Sequence, residues 1–193
     1  MSKDTEKNIV AFTSSEKWEQ WLEKNHDKIQ GIWLQFFKKD SGVLSLSYKD
    51  ALDVALGYGW IDGQLKPCDD KSWLRKFTPR RARSLWSKRN IEHAMRLKRA
   101  GRMKPAGLKE VEAAKADGRW KKAYDSSATM ELPEDFMERL SKSKKAMTFF
   151  KTLNRTNTYT IVWRLQTALN PETREKRMNA ILTALEKGRK FHG

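Results

Sequence analysis

The sequence predicts an α+β fold, with a small antiparallel sheet and flanking helices followed by a C-terminal helical domain. Before residue 80, short apolar runs bounded by turn residues alternate with helical patterns, whereas after Ser84 the apolar pattern stays helical. The chain of 193 residues also contains 8 Trp, 8 Phe and 4 Tyr, which is enough apolar side chain for a buried core.

The first elements follow from capping and periodicity. Thr13 followed by Glu16 is typical of a capping box, so we expect Thr13 to be the N-cap of a first helix with Trp18 and Trp21 on its buried side. The apolar run at 32–37, IWLQFF, predicts a strand. A second helix is expected to begin near Ser47 and to end at one of the glycines that follow.

Two further strands are predicted at 60–65 and 73–78, separated by a turn. With a period of two, Trp60, Asp62 and Gln64 share one face of the first of these strands. A buried Asp62 needs a partner, and Arg75 on the neighbouring strand is the expected one. Glycines flank this stretch, which would let a ligand or another backbone come close.

The rest of the chain is predicted to be helical. Two helices are expected at 88–99 and from Pro105 to about residue 117. Four more are expected at 133–142, 144–154, 156–168 and 171–187. We therefore predict an α+β domain at 1–125 and a helical domain at 126–193.

The positive charge is concentrated in one part of the chain. The net charge is +16, and residues 65–109, called the basic segment below, carry 15 basic and 3 acidic residues, a net charge of +12. Such a field attracts anions such as nucleic acid, phosphorylated metabolites or acidic membrane surfaces. A solubilising surface on an ordinary basic protein is the alternative interpretation.

The basic segment interleaves cations with aromatic residues, which suits either a small anion or a polyanion. Our first hypothesis is a binding protein for an anionic small molecule. The expected ligand-binding residues line two walls of a cleft: Trp60, Asp62 and Gln64 on one, and Arg75, Arg80, Arg83 and Trp86 on the other. The structural alternative is that Asp62 only pairs with Arg75 and that the tryptophans belong to the core.

Two other functions stay open. The same segment could bind nucleic acid, or the protein could be an enzyme for an acidic or phosphorylated substrate with Asp62 as acid or base. No nucleophile elbow, phosphate-binding loop or metal-spaced cluster is present, so no catalytic residue is assigned and no metal or cofactor is expected. His26 and His93 lie in helical contexts, where capping or surface roles are expected.

The compartment is expected to be the cytoplasm. Cys68 is the only cysteine, so no internal disulfide can form, which fits a reducing environment. The first residues show no secretory signal, and no apolar stretch is long enough to span a bilayer.

Several motifs taken together resemble one bacterial family. They include GWIDGQ at 59–64, FTPRR at 77–81, SLWSKRN at 84–90, GRMKPAG at 101–107 and LPEDF at 132–136. As a set they resemble the YdeI/OmpD-associated family, also described as bacteriocin-protection-like. The resemblance implies a soluble bacterial protein with a short C-terminal helical domain from Leu132 onward, and a connection with stress or toxin protection. It implies no reaction and no catalytic residue.

Overall fold

The computed structural model describes residues 9–191, which form two compact units. The first unit contains the described residues up to Ser84 together with Asn90–Lys121, and the second contains Leu85–Arg89 and the described residues from Lys122 onward. The α+β class is confirmed, because one four-stranded sheet and eight helices occur among the described residues. The division of the sequence into domains after residue 125 stays a prediction.

The sheet belongs to the first unit. Its strands are β1 (Ile9–Val10), β2 (Ile32–Phe37), β3 (Trp60–Pro67) and β4 (Ser72–Pro79), in the order β1-β2-β4-β3. β1 pairs with β2 in parallel, and the other two pairings are antiparallel. The sequence did not predict β1, since two residues are too few to show a period. The register of β3 against β4 shifts between Asp62 and Leu65, as at a β-bulge.

Four helices accompany the sheet in sequence: α1 (Ser15–Asn25), α2 (Tyr48–Gly57), α3 (Lys88–Arg99) and α4 (Pro105–Ala116). The predicted cap at Thr13 is wrong by one residue. Ser14 is the N-cap of α1, and its hydroxyl accepts a hydrogen bond from the backbone N–H of Lys17. Glu16 instead accepts a hydrogen bond from the neighbouring Ser15 hydroxyl, so no capping box forms.

The core of the first unit is rich in indole rings. Trp18 of α1 is fully buried, and its ring centroid lies 5.9 Å from that of Phe77 and 6.3 Å from that of Trp60. Its indole Nε1–H donates a hydrogen bond to the carbonyl of Ala51. All residues of α2 from Ala51 to Gly57 are buried. α2 is therefore a core helix enclosed on every side rather than an amphipathic surface helix.

α2 and α4 come unusually close at two glycines. A Cβ atom built on Gly107 would lie 2.2 Å from the carbonyl oxygen of Gly57. The same oxygen accepts a hydrogen bond of 3.0 Å from the backbone N–H of Lys104, just before α4. The two glycines therefore fix how the turn at residues 101–104 approaches the end of α2.

The second unit contains four helices: α5 (Glu134–Ser141), α6 (Lys144–Phe150), α7 (Arg155–Gln166) and α8 (Pro171–Glu186). α6 ends at Phe150, whereas the sequence predicted a helix up to residue 154. Asn154 is instead the N-cap of α7, and its side chain accepts a hydrogen bond from the backbone N–H of Asn157. None of the described helices combines the length and apolar character that crossing a membrane requires. The helices enclose a core of Phe136, Leu140, Ala146, Ile161, Leu165, Met178, Ile181 and Leu185.

Candidate functional site

The predicted partners Asp62 and Arg75 lie together between neighbouring strands. Nη2 of Arg75 is 2.6 Å from Oδ2 of Asp62, and the same carboxylate oxygen accepts a 2.7 Å hydrogen bond from the hydroxyl of Tyr48. The guanidinium also lies over the Tyr48 ring, 5.2 Å from its centroid. Tyr48, the first residue of α2, was not among the site residues predicted from the sequence.

The protonation states in this cluster agree with a structural role. Burial, helped by the negative charge of Asp62, raises the pKa of Tyr48, so its hydroxyl stays a donor. Burial alone would lower the pKa of Arg75, but its contacts with Tyr48 and Asp62 outweigh that effect and raise it. The two charges lie in side chains that are 22% and 14% exposed, and they neutralise each other.

Trp60 and Gln64 differ in their surroundings. Trp60 is 1% exposed, its Nε1–H donates to the carbonyl of His26 at 3.0 Å, and its ring contacts those of Trp18 and Trp21. A ring so enclosed offers no contact surface to a ligand in this conformation. Gln64 is exposed on β3.

The other residues of the predicted cleft, Arg80, Arg83 and Trp86, differ in their exposure and in the unit to which they belong. Arg80 is 7% exposed, and its backbone N–H donates to the carbonyl of Gly59 at 3.0 Å. Arg83 is exposed and has a φ of 65°, in the left-handed region. Trp86 belongs to the second unit and is 2% exposed. The structure thus brings Asp62 and Arg75 together, and the seven-residue cleft stays a prediction.

The charges of the basic segment are only partly paired. Among the described residues, the lysines and arginines of this segment that pair with carboxylates include Arg75, Lys88, Arg96, Lys98 and Lys104. The side chain of Arg102 forms no ion pair with any carboxylate of residues 9–191. Two cations lie over the ring of Trp33, with Nζ of Lys66 4.7 Å and Nζ of Lys76 5.9 Å from its centroid.

A polar cavity of about 140 Å³ lies within the first unit, beside the close approach of α2 and α4. Nζ of Lys104 is 2.8 Å from Oε1 of Glu19 and 5.7 Å from the ring centroid of Tyr58. The polar side chains that line the cavity belong to Glu19, Asp53, Tyr58, Arg102 and Lys104.

Asp53 is the most deeply buried carboxylate of this cavity, at 3% exposure. Its Oδ1 is 2.6 Å from Nη2 of Arg96 and 2.8 Å from Nδ1 of His93. Burial would raise the pKa of Asp53, but the hydrogen bonds from Arg96 and His93 outweigh it, so the pKa lies below its ordinary value. The expected capping or surface role of His93 is wrong, since its side chain is 15% exposed and contacts this buried carboxylate.

The donors at the cavity are in the right states to bind an anion. Burial raises the pKa of Tyr58, so its hydroxyl stays neutral and protonated at neutral pH. The hydrogen bond to Glu19 raises the pKa of Lys104, so its ammonium group stays charged. With the guanidinium of Arg102, three kinds of hydrogen-bond donor line one small space.

The sequence shows no direct sign of this cavity, because its lining residues come from three separate stretches of the chain, at 19, 53–58 and 101–104. One usable signal was Asp53, a lone carboxylate in the apolar run ALDVALG of α2. A carboxylate in a helix buried on all sides must find partners, and Arg96 and His93 lie one helical turn apart on α3. Within residues 9–191, no three His, Cys, Asp or Glu side chains are grouped so as to hold a metal ion.

Two family models match the chain. Residues 10–110, just over half of it, match a model described as a domain of unknown function (DUF8412). Residues 129–188 match a model described as "Bacteriocin-protection, YdeI or OmpD-Associated". The second match confirms, for that part of the chain, the resemblance found in the sequence motifs. No curated protein and no solved structure matches the chain.

Proposed function

Because this chain belongs to the family of the domain of unknown function (DUF8412), whose description names no activity, we propose a function from its own geometry: it binds a small anion in the polar cavity. The observation that carries the proposal is that Arg102, Lys104 and Tyr58 line the same cavity. A fork of guanidinium N–H groups, an ammonium group and a phenol hydroxyl can together satisfy the oxygens of a carboxylate or a phosphate.

The charge balance at the cavity favours an anion. The carboxylate of Glu19 is matched by Lys104, and that of Asp53 by Arg96. The guanidinium of Arg102 is the surplus charge, because it has no ion pair within the described part of the chain. The net charge of +12 on the basic segment adds a long-range attraction that would concentrate anions near this surface.

The size of the cavity limits the ligand. A volume of about 140 Å³ corresponds to a few water molecules at roughly 30 Å³ each, well below the ~300–1,000 Å³ typical of drug-sized ligands. We therefore expect inorganic phosphate or a small carboxylate or phosphate ester. A nucleotide could place only its phosphate there.

The finer expectations from the sequence belong to the same proposal. The predicted cleft of Trp60, Asp62, Gln64, Arg75, Arg80, Arg83 and Trp86 is retained as the alternative location of the anion. We also propose a cytoplasmic location, supported by the single cysteine, and a connection with stress, supported only by the description of the family that matches residues 129–188. Asp62 is a poor candidate for an acid or base, because Arg75 and Tyr48 already hold its carboxylate.

Thermal-shift titrations test the proposal, with phosphate, small carboxylates and nucleotides as probes. Arg102→Gln removes the surplus charge of the cavity but keeps a polar side chain of similar reach. Arg99→Gln is the matched control, because Arg99 is an exposed arginine of the same segment that does not line the cavity. Arg80→Ala tests the alternative location.

We expect at least one small anion to raise the unfolding temperature in a saturable way, and Arg102→Gln to weaken its binding about tenfold or more. Arg99→Gln should leave binding within about twofold. If no anion stabilises the protein, the proposal is wrong. If Arg80→Ala abolishes binding and Arg102→Gln does not, the anion lies in the cleft predicted from the sequence.

Nucleic acid is tested in parallel by gel shift with single- and double-stranded probes. Phosphate contacts release counterions, so a nucleic-acid function requires affinity that falls steeply with salt. Tight, salt-dependent binding that survives Arg102→Gln would transfer the function from the cavity to the wider basic surface.

A further inference from the structure

An aromatic cavity of about 510 Å³ lies in the second unit, along one side of α7. Its volume is within the range of sites that hold organic ligands. Four rings line it, those of Tyr124, Tyr159, Trp163 and Phe191, together with two threonines and Arg164.

The rings of this cavity are held by contacts around them. Tyr124 and Trp163 meet edge to face, with ring centroids 6.3 Å apart. The hydroxyl of Tyr159 donates to the carbonyl of Asp125 at 3.2 Å, and burial raises the pKa of this tyrosine to about 12. The backbone N–H of Phe191 donates to Oδ1 of Asn157 at 2.9 Å. The walls are therefore positioned before any ligand arrives.

Trp163 is 39% exposed although it is among the largest apolar side chains of the unit. An indole that remains this accessible inside a lined cavity has a free face for stacking, in contrast to the enclosed Trp60 and Trp86, which are 1% and 2% exposed.

Among the described residues that line the cavity, the one charged side chain is that of Arg164, a guanidinium. Cζ of Arg164 lies 5.6 Å from the ring centroid of Phe191, and Arg164 has no ion pair with a carboxylate within residues 9–191. A cation–π contact leaves its N–H groups available, and such a fork binds a carboxylate bidentately.

We propose that this cavity binds a planar aromatic carboxylic acid, whose ring stacks on Trp163 and whose carboxylate pairs with Arg164. The proposal goes beyond the anion site of the first unit, because it concerns another unit and other residues. An aliphatic anion lacks the ring that these walls recognise, and an uncharged aromatic molecule leaves the guanidinium without a counter-charge.

Calorimetric titration with 2-naphthoate tests the proposal, with 2-naphthamide as its uncharged analogue and acetate as the anion without a ring. The variants are Trp163→Leu and Arg164→Gln. Arg189→Gln is the matched control, since Arg189 is an exposed arginine of the same unit that does not line the cavity. Thermal unfolding of each variant establishes that it folds.

We expect 2-naphthoate to bind with a Kd of about a millimolar or tighter. Trp163→Leu and Arg164→Gln should each weaken binding about tenfold or more, and Arg189→Gln should leave it within about twofold. If Trp163→Leu does not fold, the affinities for 2-naphthoate and 2-naphthamide, each measured in the unchanged protein and in Arg164→Gln, still test the proposal. Equal affinity for acid and amide, unchanged affinity in Arg164→Gln, or no saturable binding of 2-naphthoate overturns the proposal.

Discussion

Replacing Gly107 by alanine should destabilise the protein, although alanine is the better helix former. Gly107 lies in α4 and has an ordinary helical backbone, so propensity alone would favour alanine by about 1 kcal/mol. The added Cβ, however, would lie 2.2 Å from the carbonyl oxygen of Gly57 and 2.8 Å from that of Leu56. Both obstacles are backbone atoms of the buried helix α2, which cannot rotate away.

The magnitude follows from the shift that the new methyl group demands. An oxygen and a methyl carbon need more than 3 Å, so α4 must move by about 1 Å, and overpacking of this kind costs about 1–3 kcal/mol. The movement also stretches the hydrogen bond from the Lys104 N–H to Gly57, worth about 1 kcal/mol. After the gain in propensity, we expect a net loss of about 2 kcal/mol, or a fall of about 4–8 °C in Tm.

Thermal and urea unfolding, followed by circular dichroism and tryptophan fluorescence, measure this loss. Gly63→Ala is the control, because a Cβ there would meet nothing closer than the carbonyl of Lys76 at 3.6 Å, an ordinary contact. The control should change stability by no more than about 0.5 kcal/mol. A Gly107→Ala variant as stable as the unchanged protein, or more stable, would refute the close approach of α2 and α4.

Three further predictions concern single side chains, each measured by urea unfolding. Asp53→Asn should cost about 2 kcal/mol at pH 7. Because the pKa of Asp53 is depressed in the folded state, the carboxylate's contribution is complete above its unfolded pKa of about 4 and is lost as the pH falls through the lower folded pKa, so the difference in stability from the unchanged protein should shrink as the pH falls below about 4. Asp62→Ala leaves a largely buried guanidinium without its counter-charge and should cost about 2–3 kcal/mol. Tyr48→Phe removes the hydrogen bond that the hydroxyl donates to Asp62 and the longer one that it accepts from Arg75, and should cost only about 1 kcal/mol because the ion pair remains; equal costs would contradict the pairing. Phe136→Ala, in the core of the second unit, should cost about 3–5 kcal/mol, while Leu169→Ala, at a side chain 80% exposed, should be within about 0.5 kcal/mol.

Local signals were sufficient to predict most of the fold. Asn170 followed by Pro171 located the start of α8, because an N-cap side chain and a proline at the first helical position act within a few residues of each other. β1 could not be predicted, because its two residues become a strand only through pairing with β2, more than 20 residues away. Long-range pairing leaves no period in so short a segment.

The candidate sites were harder to predict, because burial decides which side chains a ligand can reach. Trp60 and Trp86 were expected to line a cleft, yet both rings are almost fully enclosed. The Asp62–Arg75 pair was within reach of sequence reasoning, since alternation on neighbouring strands places both on one face. The polar cavity could not be predicted in this way, since Glu19, Asp53 and Arg102 meet only after α1, α2 and the turn at residues 101–104 have packed together.

The glycines around Trp60 act through their approach to α4. Gly59 has a φ of 74°, a backbone conformation that is strained for residues with a side chain. A Cβ there would also lie only 3.0 Å from the carbonyl oxygen of Ala106. Together with Gly57 and Gly107, Gly59 lets the start of α4 lie against the end of α2. That contact holds Arg102 and Lys104 beside Tyr58. A substitution at Gly59 should therefore lower stability and weaken the proposed anion binding, and the thermal-shift titrations measure both effects.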